Sequence, residues 1–83
     1  MNLNAAIVRE LTDLGVGFHS VSVSEKDEWI EFTVAPEPLS DDGSGYQCMI
    51  RCKAVEIYAN PDEKIRLAAG TIKFVLESRK REQ

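Results

Sequence analysis

The sequence predicts a small α+β domain of order α-β-β-β-α, a three-stranded antiparallel sheet with two helices packed on one face. Three observations lead there. Apolar residues recur at helical spacing near each end of the chain, at Leu3, Ile7, Leu11 and Leu14 and again at Ile65, Ala68, Ala69, Ile72, Val75 and Leu76. Between them lie stretches that alternate apolar and polar residues. Polar turns and a Pro/Gly-rich segment separate these stretches.

Residues 3–14 form the first expected helix. Asn2 or Asn4 is placed to cap its start, and Gly15 follows its last apolar position, where a left-handed residue ends a helix. A first strand covers 18–25, with His19, Val21 and Val23 on one face and Phe18, Ser20, Ser22 and Ser24 on the other. The polar turn Glu25-Lys26-Asp27-Glu28 leads into a second strand over 29–35, where Ile30, Phe32 and Val34 alternate with Trp29, Glu31 and Thr33. Pro36 ends it, because proline has no N–H for the ladder. Residues 36–45, with two aspartates, two prolines and two glycines, read as a flexible loop. Residues 46–58 read as a long third strand with a bulge near Lys53-Ala54, where apolar parity switches from Cys48, Ile50 and Cys52 to Val55 and Ile57; a helix is the competing local reading.

The second helix spans 61–80. Asn60 suits its N-cap, Pro61 its first position, and Asp62 and Glu63 its positive end. Arg79, Lys80 and Arg81 suit its negative end. Gly70 costs up to about 1 kcal/mol inside a helix, which a close approach by a strand or the first helix would explain. A strand at 71–76 is the competing reading, since Ile72, Phe74 and Leu76 also alternate. A short tail follows from about residue 80. The solvent face of the sheet then carries Ser20, Ser22, Ser24, Glu31, Thr33, Arg51 and Lys53.

Eighty-three residues make a single globular domain, 1–83, that buries only about 60–65% of its unfolded surface and has little core to give up to a deep pocket. No run of about 18 apolar residues is present, so no membrane span is expected. The N-terminus has no basic region ahead of an apolar run, so no secretory signal is expected either, and the expected location is intracellular and cytoplasmic. Cys48 and Cys52 sit roughly 13 Å apart on an extended strand. That is too far for a disulfide, so both are expected as thiols in a reducing compartment.

Charge is the strongest functional signal. Residues 1–45 carry a net −7 and residues 46–83 a net +3, giving −4 overall. This layout suits a docking surface better than a reaction centre. The acidic candidates are Glu25, Asp27, Glu28, Glu31, Glu37, Asp41 and Asp42, with Trp29 beside them as a binding anchor. The basic candidates, the nucleic-acid alternative, are Lys64, Arg66, Arg79, Lys80 and Arg81, with Arg51, Lys53 and Lys73 as further cations. Chemistry has little to work with. His19, Cys48 and Cys52 are the only soft ligands, fewer than the four of a structural zinc site. Asp41-Asp42 lacks the ligand spacing of a calcium loop, and no glycine-rich phosphate loop opens a helix. No cofactor, metal or catalytic residue is expected.

In length and element order the chain is similar to the double-stranded RNA-binding domain, whose two helices also share one side of the sheet. That family contacts RNA through its first helix, the loop between its first two strands and the start of its second helix, which opens K-K-x-A-K. The matching positions here are Asp62-Glu63-Lys64-Ile65-Arg66, with acids in place of the two leading lysines. The inter-strand loop is Glu25-Lys26-Asp27-Glu28, and His19 lies outside it. The resemblance therefore implies the fold and does not extend to RNA.

Together these features predict a small non-catalytic protein-binding module, an adaptor, accessory subunit or inhibitor, docking by its acidic surface on a larger protein with a basic surface. An inhibitor encoded by a virus or mobile element is one version. The alternative is a nucleic-acid-binding domain using the basic C-terminal half. A homodimer through the second helix or third strand is a further expectation for so small a core.

Overall fold

A computed structural model describes residues 2–36 and 47–81. Its elements are α1 (Leu3–Asp13), β1 (Phe18–Lys26), β2 (Trp29–Pro36), β3 (Cys48–Lys53), α2 (Ala54–Ala59) and α3 (Pro61–Arg81). The expected α+β class and the three-stranded antiparallel sheet are present, in strand order β1-β2-β3, and the helices pack against the sheet.

Local signals set the ends of α1. The Asn2 side chain accepts from the Ala5 N–H at 3.0 Å. At the other end Gly15 takes φ +78°, and the Gly15 and Val16 N–H groups donate to the Thr12 and Leu11 carbonyls. That pair of bonds closes the helix with a left-handed C′ glycine.

The central strand β2 supplies the middle of the core through Ile30, Phe32 and Val34, all fully buried. Ile7 and Leu11 of α1, Cys48 of β3, Ile57 of α2 and Ile65, Ala68, Ala69, Ile72 and Leu76 of α3 close around them. The helical period therefore wins over 71–76, because it buries Ile72 and Leu76 on the face already holding Ala68 and Ala69.

Two local expectations are corrected. In β1, Phe18 pairs with Pro36 and Ser20 with Ala35, so His19 is an extra residue opposite a continuous β2. This bulge turns Phe18 onto the core and leaves His19 exposed, the reverse of simple alternation. The long strand expected over 46–58 stops at Lys53, and residues 54–59 form α2. The parity switch there marks the start of a helix, not a bulge within a strand. At the chain's end α3 runs to Arg81, in line with the expectation that Arg79, Lys80 and Arg81 finish the helix. Pro36 is the last residue of β2 and is buried; the rest of the expected 36–45 loop lies outside the described residues.

Candidate functional site

Three rows of side chains line the sheet face opposite the helices, and no described element covers them. Register places Ser22, Thr33 and Met49 in one row, Ser24, Glu31 and Arg51 in the next, and Lys26, Trp29 and Lys53 in the last. Trp29 is 39% exposed, against complete burial for its neighbour Ile30. Its indole thus stands between two lysines at the hairpin end of the face.

That end is held by contacts from distant parts of the chain. Asp27 takes φ +59° in the two-residue turn that joins Lys26 to Trp29. The Glu28 carbonyl accepts from the Ala54 N–H at 2.8 Å, so the turn satisfies the first donor of α2. Lys53, at the N-cap of α2, makes no side-chain capping bond, and this backbone bond takes over that role. One turn of helix later, the Tyr58 hydroxyl donates to a Glu25 carboxylate oxygen at 2.9 Å. The bond holds the Tyr58 proton and raises its pKa.

The acidic candidates do not form one patch. Asp27 and Glu28 occupy the exposed hairpin tip beside Trp29. Glu25 is engaged by Tyr58. Glu31 accepts from the Arg51 guanidinium at 3.2 Å across the β2–β3 pair, which neutralises it on the sheet face. Glu37, Asp41 and Asp42 lie outside the described residues.

The basic candidates are spread along α3. Lys64 lies half-buried beside β3 and α2, next to Cys52 and Ile57, while Arg66 is exposed on another side of the helix. Arg79 stands about 22 Å further along from Lys64 at the helical rise, close enough to Cys48 to act on its charge. Lys80 and Arg81 belong to the last turn. No single stripe gathers Lys64, Arg66 and Arg79 for a phosphate backbone.

Cys48 is buried and Cys52 half-buried, and both are free thiols. Burial pushes both thiols up; Glu56 adds to the rise at Cys52, while Arg79 and Lys64 oppose it at Cys48 and Cys52 respectively. Neither is therefore poised as a nucleophile. Among the described residues, no group of three His, Cys, Asp or Glu side chains is placed to hold a metal ion. A groove between α1 and the start of α3 is lined by Asn2, Arg9, Glu10, Asp62 and Ile65, with no histidine or cysteine at its wall.

No family model, curated protein or solved structure matches this chain. The likeness to the double-stranded RNA-binding domain therefore rests on element order, and the inserted α2 departs from that order as well.

Sequence reasoning found Trp29 but not its setting. The Lys26–Trp29–Lys53 row follows only from register, and the ties from Ala54 and Tyr58 depend on α2. No described helix is long and apolar enough to cross a membrane.

Proposed function

We propose that this chain is a small non-catalytic protein-binding module, an adaptor, accessory subunit or inhibitor. It docks on a larger protein through the hairpin end of its uncovered sheet face. The observation that carries this reading is the exposed Trp29, set between Lys26 and Lys53 on a turn fixed by Ala54 and Tyr58. A partly exposed indole brings large apolar area at small entropic cost. A turn already held in place loses little further freedom on binding.

The partner surface has a pocket for the indole and basic groups facing Asp27 and Glu28. Charge complementarity speeds encounter and sets orientation, and occlusion of the partner's surface is the mechanism. The module works inside the cell, where Cys48 and Cys52 remain thiols. An origin in a virus or mobile element is compatible with a compact inhibitor of this kind.

One feature favours nucleic acid as a second reading, with a different surface from the C-terminal helix. The two lysines flanking Trp29 resemble the charge and stacking elements of a single-strand platform. The Glu31–Arg51 pair and the acidic tip weigh against it, since they place carboxylates where a phosphate backbone would pass.

The test is affinity capture from native lysate with nuclease present, comparing the wild-type chain with Trp29→Ala and with Glu28→Lys. A stoichiometric protein retained by the wild type and lost from both variants supports the proposal. Partners that vanish with nuclease move the reading to nucleic acid.

A further inference from the structure

Helix α3 presents an apolar stripe to solvent, with Leu67 and Thr71 on the flank that borders a groove beside Ile50, Arg51 and Cys52 of β3. Leu67 is 56% exposed and Phe74 69% exposed, two turns apart on one line of the helix. Gly70 lies between them. A side chain there would meet nothing within 4 Å among the described residues, so no described strand or helix approaches it, contrary to the expectation from sequence. Among the described residues, the destabilisation caused by a mid-helix glycine is not offset by any close packing. Leu67, Gly70, Thr71 and Phe74 follow the i, i+3, i+4, i+7 spacing of a helix-packing face with a notch at its centre.

The charges around this face are complementary to themselves under a two-fold rotation. Arg66 and Glu77 lie on the same flank of the stripe, and Arg66 is exposed. Glu77 also carries a long contact to Lys73 at 3.9 Å. Rotating one copy about an axis level with Thr71 and Ile72 sets Arg66 against the other copy's Glu77. That pairing occurs twice, and Phe74 meets the Gly70 notch twice. A parallel pairing would set each of these charges against its own kind.

We infer that α3 is the face of an antiparallel two-fold homodimer, built on Leu67, Gly70 and Phe74 and oriented by Arg66 and Glu77. The occupant of the apolar stripe is a second copy of this chain, because Arg66 and Glu77 match each other across the two-fold axis. Trp29 belongs to the β1–β2–β3 sheet and not to α3, so the dimer carries two docking ends. The interface stands on a different surface from the proposed docking end and does not depend on it.

Sedimentation equilibrium over a series from about 1 μM to about 1 mM tests this. The wild-type chain is expected to shift from monomer to dimer. Phe74→Glu is expected to weaken association about tenfold or more while circular dichroism stays unchanged, since Phe74 is outside the core. Arg66→Glu weakens it as well, and adding Glu77→Arg to that variant restores it. A wild-type chain that stays monomeric throughout overturns the inference, as does a dimer indifferent to Phe74→Glu. Failure of the double variant to recover overturns the antiparallel pairing. Trp29→Ala leaves the dimer intact, which separates this result from the docking test.

Discussion

Tyr58 and Glu25, 33 residues apart in sequence, are joined by a 2.9 Å hydrogen bond between hydroxyl and carboxylate. With the Ala54–Glu28 backbone bond it fastens α2 to the tip of the β1–β2 hairpin. A six-residue helix is too short to persist on its own. Its stability comes from these two bonds and from buried Ile57.

Ionising Tyr58 removes the proton that it donates. The fold favours the protonated form, so the folded pKa stands above the unfolded value of about 10. The contribution to stability is present below that value and is lost as pH rises through the folded pKa. In an ultraviolet titration, the difference between the wild type and Tyr58→Phe should show a phenol titrating above free tyrosine. Tyr58→Phe should also speed amide exchange in α2.

Two glycines should respond to alanine with opposite signs. Gly15 holds φ +78°, where a side chain costs about 1–2 kcal/mol. Gly15→Ala should therefore destabilise by about that amount. Gly70 is helical with open space above it, and Gly70→Ala should stabilise the monomer by up to about 1 kcal/mol. Urea midpoints at dilute protein concentration measure both.

The thiols should react slowly and in order. Cys52, half-buried, should be alkylated before buried Cys48, and both more slowly than in the unfolded chain. Both folded pKa values are raised above the unfolded value of about 8.5. Their contribution to stability is full below that value and declines as pH climbs through the folded pKa values. Peptide mass mapping after timed alkylation, and urea midpoints from pH 7 upward, test the two statements.

Trp29 and Phe32 separate binding from folding. Phe32 is fully buried, so Phe32→Ala should cost about 3–5 kcal/mol. That is a large share of the stability of a domain this size. Trp29→Ala should leave thermal unfolding much closer to the wild type, because its indole already meets solvent. Differential scanning calorimetry of the two variants gives the comparison.

The residues that carry local signals were legible. Asn2 or Asn4 and Gly15 mark the ends of α1 by capping chemistry, the structure choosing Asn2, and Ile30, Phe32 and Val34 mark the core strand by strict alternation. Proline and two acids announce α3. The bulge at His19 was not legible, because its cause is the pairing of Phe18 with Pro36 across the sheet. A helix over the region of α2 was only the competing reading, for a similar reason: Val55, Ile57 and Tyr58 favour a strand, and the bonds that decide otherwise involve Glu25 and Glu28. Exposure of Phe74 followed only once the helical period was fixed. Of the acidic candidates, sequence could not show that Glu31 is spent on Arg51 or Glu25 on Tyr58.

The measurement that bears most directly on the proposed role is quantitative mass spectrometry of partners captured from nuclease-treated lysate, with wild-type and Trp29→Ala chains as paired baits. The account predicts one stoichiometric protein that the wild type retains and Trp29→Ala loses while remaining folded. An unchanged partner list for Trp29→Ala would contradict it.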